Sequence, residues 1–171
     1  PCRDATLSAT VAGTQAAILK KEGEQVSAGE VILELEKDLE SLEVERRLLI
    51  AESKVELEAA RRRAEQLRLE LAATRRLFDS TQSVSREQLQ QKELETCLAE
   101  AELERLTIAE KREAIELRIA EAQLRQRTIT APFAGVIVEI IPEVGEACYP
   151  EQPLVRVVDT SQCRLIVHLE A

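Results

Sequence analysis

Glycine is missing from position 30 to position 134, and no proline lies between Pro1 and Pro132. These two residues punctuate helices and make turns, so a gap of that length reads as long, uninterrupted helix. The five glycines stand at 13, 23, 29, 135 and 145, in two groups either side of the gap. The flanks that hold them are rich in Val, Ile and Thr. Thr6 to Val11, Ala17 to Leu19 and Val31 to Leu35 read as short strands before the gap. Thr128 to Thr130, Val136 to Ile141 and Leu154 to Val158 read likewise after it, and Leu165 to Leu169 adds one at the end.

The two flanks repeat one another. At one constant offset, Gly13 falls on Gly135, Gly23 on Gly145, Glu24 on Glu146, Val26 on Cys148, Ile32 on Leu154 and Leu35 on Val157. Two similar β segments separated by about 90 helical residues are most simply two halves of one small β domain with an insertion between them.

Within the insert, apolar or small residues recur at Leu39, Leu42, Leu49, Leu57, Ala60, Ala64, Leu67, Leu71 and Phe78, largely in steps that sum to seven. Arg46 and Ser53 interrupt that stripe, and the step from Ser53 to Leu57 is expected to be a stutter that locally unwinds a supercoil. The second run is more regular: Leu94, Leu98, Ala101, Ile108, Ile115, Ile119 and Ala122, broken by Arg105 and Arg112. These lines predict the seam of a two-stranded coiled coil, built on Leu42, Leu49, Leu57, Leu67 and Leu71 against Leu98, Ile108, Ile115 and Ile119. Leu103, Leu106, Leu117 and Leu124 form a further line, which either widens the hairpin core or packs against a neighbouring hairpin.

Between the runs, residues 79–85 (Asp-Ser-Thr-Gln-Ser-Val-Ser) are the insert's one cluster of turn and capping residues. Ser85 with Gln88 three residues on makes a capping box for the helix that follows. The spacing therefore predicts two antiparallel helices and a hairpin about 60 Å long. A single long helix pairing in trans would hold the two β halves about 130 Å apart, by the same helical rise.

Composition excludes other classes. The chain of 171 residues has 32 Asp plus Glu against 23 Lys plus Arg, a formal charge of −9 that disfavours nucleic acid. It has two Phe, one Tyr and no Trp, so Leu, Ile, Val and Ala do the packing. No run reaches the roughly 18 apolar residues that span a bilayer. Cysteines at 2, 97, 148 and 163 show no metal-ligand spacing, and a lone His168 cannot build a histidine triad or a multi-histidine zinc site. Cys97 and Cys148 read as packing residues, and Cys2 and Cys163 as the candidate pair in an oxidising compartment. Carboxylates on solvated helices have no pocket to raise a pKa, and no phosphate-loop motif occurs, so neither catalysis nor a cofactor is expected. The opening Pro1-Cys2-Arg3 suggests a fragment.

The whole pattern resembles the membrane fusion proteins, or periplasmic adaptors, of the haemolysin-secretion type. The first lipoyl half-motif is Val11-Ala12-Gly13 followed by Lys21 to Leu35; the second, more specific one is Thr128 to Ile137, then Val144-Gly145-Glu146, then Pro153 to Asp159. The resemblance implies an α+β fold. A lipoyl-like β-sandwich is formed from residues 5–36 and 128–160, an antiparallel α-helical coiled-coil hairpin occupies 37–127 with its turn near 79–84, and residues 161–171 begin a following β-barrel domain. Gly13, Gly23, Gly29, Gly135 and Gly145 correspond to lipoyl turn glycines. The insert stands where a carrier domain presents its modified lysine, so Lys37 is not expected to carry lipoate or biotin. The hairpin end resembles the stretch by which adaptors meet a channel, which points to Arg76, Leu77, Val84 and Ser85 as the tip contact. For Ser85 the N-cap role stands beside the contact role. By the same resemblance the protein is a periplasmic, inner-membrane-anchored coupler. It links an inner-membrane transporter, of the ABC type before the proton-driven type, to a TolC-like outer-membrane channel, and it self-associates as a hexameric ring or trimer of dimers. A soluble coiled-coil scaffold unrelated to export is the rival reading.

Overall fold

The structure is a computed structural model that describes residues 3–81 and 83–160. Cys2, Cys163, His168 and the expected barrel start at 161–171 lie outside the described residues. The chain forms two compact units: one gathers the chain up to Glu43 and from Ala120 on, and the other is Val44–Ile119.

The first unit is a sandwich of two antiparallel four-stranded sheets. The strands are β1 (Asp4–Ser8), β2 (Gly13–Ile18), β3 (Gln25–Val26), β4 (Val31–Leu35), β5 (Thr128–Thr130), β6 (Gly135–Ile140), β7 (Ala147–Cys148) and β8 (Pro153–Val158). One sheet runs β1-β8-β6-β3 and the other β5-β4-β2-β7, so each sheet mixes strands from both sequence halves. Each half contributes one antiparallel pair of its own, β2–β4 and β6–β8, and strands of the other half complete both sheets at their edges. The core is aliphatic: Ile32, Leu33, Leu35, Ile137, Leu154, Val155 and Val157 are wholly buried, with Val26 and Cys148 beside them.

The repeat seen in the sequence is also a repeat of hydrogen bonds. The Gly23 amide donates to Ile137 O and the Gly145 amide to Gln15 O, each at 2.8 Å. The Glu24 carboxylate accepts from the Lys21 amide and the Glu146 carboxylate from the Glu143 amide, each at 3.0 Å. The Ser27 amide donates to Glu30 Oε2 at 2.8 Å, and the Tyr149 amide to Gln152 Oε1 at 3.0 Å. Two positions break the symmetry. Gln15 stands where the other half has Ile137; its buried amide Nε2 donates to Ala17 O at 2.7 Å and Glu34 O at 3.1 Å. Glu151 stands where the other half has Gly29, and it keeps the same left-handed backbone, φ 66° against 82°.

A side chain at such a φ costs roughly 1–2 kcal/mol, part of which glycine returns as unfolded-state entropy. Glu151→Gly is therefore expected to raise stability by about 0.5–1 kcal/mol, while Glu151→Ala brings no gain. Urea midpoints of the two variants check this. Equal midpoints would show that the turn carries no strain.

The helices are α1 (Asp38–Glu52), α2 (Val55–Thr81) and α3 (Arg86–Gln126). The expected stutter is a full interruption: the Ser53 amide bonds Ile50 O at 3.1 Å, and the ladder restarts with the Glu58 amide on Lys54 O at 3.0 Å. In the second unit α2 runs antiparallel to α3. Ion pairs track the register, with Arg75–Glu93 at 2.8 Å, Arg68–Glu100 at 2.6 Å and Lys54–Glu110 at 3.2 Å. Arg47 of α1 continues the series to Glu113 at 3.4 Å and Glu116 at 3.5 Å.

The seam differs from the expectation on two of the three helices. Leu57 is buried, and Leu67 and Leu71 are half-buried. Leu42, Leu49, Leu98, Ile108, Ile115 and Ile119 are instead 47–65% exposed. The inward line of α3 is Thr96, Ala99, Leu103, Leu106, Glu110, Glu113, Leu117, Ala120 and Leu124, which contains the line read as secondary. The physical reason lies in the partners. Lys54 and Arg47 neutralise Glu110 and Glu113 on that line, and Ala64, Ala99 and Ala120 are small enough to be buried between helices.

Candidate functional site

Arg76, Leu77, Val84 and Ser85 all fall at the α2–α3 turn. α2 ends in a segment where Ser80 Oγ donates to Arg76 O at 2.6 Å. Arg76 and Ser85 are exposed, Leu77 is 47% exposed, and Val84 is half-buried. Ser85 caps α3 as a reciprocal box: its Oγ accepts from the Gln88 amide at 3.2 Å while its own amide donates to Gln88 Oε1 at 2.9 Å. The hydroxyl is thus engaged in starting the helix.

Val84 borders an open groove of about 520 Å³ with Thr74, Glu87, Gln88, Gln91 and Lys92. Lys92 donates to Glu70 at 2.9 Å and Glu95 at 3.1 Å, and these hydrogen bonds hold its ammonium above the ordinary lysine range. Among the described residues the turn thus presents the Arg76 and Arg86 guanidiniums, the aliphatic side chains of Leu77 and Val84 and a fixed helix start. Such a set suits recognition of carbonyls and a shallow apolar contact.

The glycines assigned to turns divide into two kinds. Gly23, Gly29 and Gly145 sit in turns with φ of 82°, 82° and 89°. Gly13 and Gly135 instead open β2 and β6, pairing with Cys148 and Val26. Gly135 lies so close to β8 that a Cβ would stand 2.5 Å from Val158 O.

One residue at the roots of the helices was not singled out by spacing. Arg127, between α3 and β5, donates to Ala12 O at 2.8 Å and to Glu40 of α1 at 2.5 Å. Its backbone oxygen accepts from the Leu35 amide at 2.8 Å. A Cβ on Gly13 would meet its guanidinium at 2.7 Å, so the glycine leaves the space this arginine uses. A lone arginine after a helix carries no sequence signal; only the return of the chain brings Ala12 and Glu40 to it.

Lys37 is tied to Glu34 at 2.7 Å just before α1. Cys97 is exposed and Cys148 buried, where desolvation, then the Glu146 charge, pushes its thiol up. Among the described residues, no three His, Cys, Asp or Glu side chains group to hold a metal, and no helix is long and apolar enough to cross a membrane.

No protein-family model and no curated protein matches the chain. Solved structures do match it. MacA from Actinobacillus actinomycetemcomitans aligns with a TM-score of 0.81 at 21% identity, over 92% of this chain and 49% of that one, so the chain spans about half of MacA. The soluble domain of LipC, a membrane fusion protein of a type I secretion system, aligns with a TM-score of 0.57 at 15% identity, over 92% of this chain and 100% of that one. The membrane fusion protein Spr0693 from Streptococcus pneumoniae R6 gives 0.54 at 18% identity, over 93% and 59%. With its split sandwich and inserted helical hairpin, the chain has the fold of the membrane fusion proteins.

Proposed function

We propose that this protein is an adaptor that bridges an inner-membrane transporter and an outer-membrane channel, with no bond-making step of its own. The observation that carries the reading is the architecture: a sandwich whose two halves are interleaved in both sheets, with a helical hairpin as the insert. Both ends of the insert belong to the sandwich unit, which suits a spacer that leaves one domain and returns to it. The likeness to LipC supports a place in export. In this reading the protein acts in the periplasm, anchored to the inner membrane. The transporter is of the ABC type, and subunits associate as a ring of six or three dimers around the conduit.

The turn is the channel-facing end, with Arg76, Leu77 and Val84 as contacts and Ser85 as the cap that holds them in place. A cysteine at Ser80 tests the tip directly. Ser80→Cys is expected to form a disulfide or maleimide crosslink to a channel subunit carrying a cysteine at its periplasmic end, in cells whose export is intact. Export without any trapped channel would sink the tip contact. Loss of the adaptor with no loss of export of any substrate would sink the bridging role and favour a scaffold.

A further inference from the structure

The interruption between α1 and α2 leaves a notch in the second unit. Only Ser53 and Lys54 separate the two helices, and the backbone ladder stops and restarts there. The open cavity at this break has a volume of about 470 Å³. Leu49 and Ile50 from the end of α1, Leu57 from the start of α2 and Leu106 from α3 line it. Leu49 and Ile50 are 65% and 42% exposed, so part of that apolar lining is open to a ligand. The size and the lining suit a small organic molecule.

Charge decides which kind. Glu56, Glu110 and Glu113 also line the notch, against the one ammonium of Lys54. Lys54 is engaged with Glu110 at 3.2 Å, and Arg47 reaches Glu113 at 3.4 Å. Arg105 lies within range of the Glu56 charge but holds Glu102 at 2.7 Å. Glu56 is therefore the carboxylate without an ion pair among the described residues. The helix ends act in the same direction. α1 has no basic residue in its last turn, so nothing within the helix answers the negative end of its dipole. The positive end of α2 amounts to roughly half a charge, and Glu56 and Glu58 in its first turn more than offset it.

We infer that the notch at the α1–α2 break binds an organic cation with an apolar body. The charge lies by Glu56 and the end of α1, and the body lies against Leu49, Ile50 and Leu106. The inference rests on this break alone, so it can fail while a bridging role stands.

Tetraphenylphosphonium and tetraphenylborate are large apolar ions of matched shape and opposite charge, and they supply the test. In calorimetric titration of the full chain, the cation is expected to bind saturably at one site with a dissociation constant on the order of 100 μM, and the anion roughly tenfold more weakly or less. A formal charge of −9 attracts cations everywhere on the surface, so variants must separate the notch from the rest. Ala109 and Ala51 both line it, and Ala109→Leu adds bulk there without changing charge. That variant should weaken the cation roughly fivefold or more. Ala51→Leu repeats the test should Ala109→Leu fail to fold by circular dichroism. Glu56→Gln should weaken the cation about threefold, while Glu104→Gln, exposed and outside the lining, should leave it unchanged. No saturable binding of the cation, or binding indifferent to the added bulk, would overturn the site. Equal affinity for the two ions, or equal effects of Glu56→Gln and Glu104→Gln, would overturn its choice of a cation.

Discussion

Replacing Gly135 by alanine is expected to cost about 3 kcal/mol, the upper range for forcing extra volume into a packed core. The added Cβ would lie 2.5 Å from Val158 O, 3.0 Å from the Val158 carbonyl carbon and 3.3 Å from a Val157 methyl. The obstacle is backbone, so no rotamer change relieves it. Gly135 begins β6, which pairs with β8 through Val136–Val158 and Ile137–Val157. Relief therefore requires β8 to move, and β8 carries the wholly buried Leu154, Val155 and Val157.

Two other glycines serve as controls. Gly23→Ala meets no atom within 4 Å but must hold φ at 82°, which costs about 1–2 kcal/mol. Gly13→Ala meets Leu35 at ordinary contact distance and the flexible end of Arg127 at 2.7 Å, which can shift by loosening its bond to Ala12 or Glu40 at a cost of about 1 kcal/mol. Denaturant midpoints should fall in the order Gly135, Gly23, Gly13, the first by far the most. A Gly135→Ala protein with an unchanged midpoint would show that β6 and β8 are not packed as described.

That ordering marks where sequence reading ran out. The glycine gap, the repeat and the capping box are local or periodic signals, and each has its counterpart: helices over 38–52, 55–81 and 86–126, paired hydrogen bonds in the two halves, and Ser85 exchanging bonds with Gln88. Glycines share one letter, however, and whether a glycine serves a positive φ or a close approach depends on what the fold packs against it, which for Gly135 is Val158 and for Gly13 is Arg127. Arg127 was illegible for the same reason. On α3, two heptad lines lie on nearly opposite faces, one broken by two arginines and the other by two glutamates. Counting apolar residues favours the first. What selects the second is Arg47 and Lys54 on the opposing helices, and periodicity within α3 has no knowledge of them.

The hairpin seam itself gives the second large effect. Leu57→Ala is expected to cost about 2–3 kcal/mol, because Leu57 is only 8% exposed and its removal leaves a cavity against α3. Ile115→Ala, at the same kind of heptad position but 55% exposed, should change the stability of an isolated chain by about 0.5 kcal/mol or less. Thermal unfolding followed at the helical dichroism band separates them, provided the protein is dilute enough to be monomeric. Equal losses under those conditions would mean that Ile115 lies in the intramolecular seam. Raising the concentration adds a second axis. Where subunits associate as proposed, the parent's midpoint is expected to rise with concentration because association stabilises only the folded chain, and a smaller rise for Ile115→Ala would place that residue in the contact. Leu57→Ala, by contrast, lowers the midpoint at every concentration. The same pair of variants thus distinguishes a residue that holds the hairpin together from one that holds hairpins to each other.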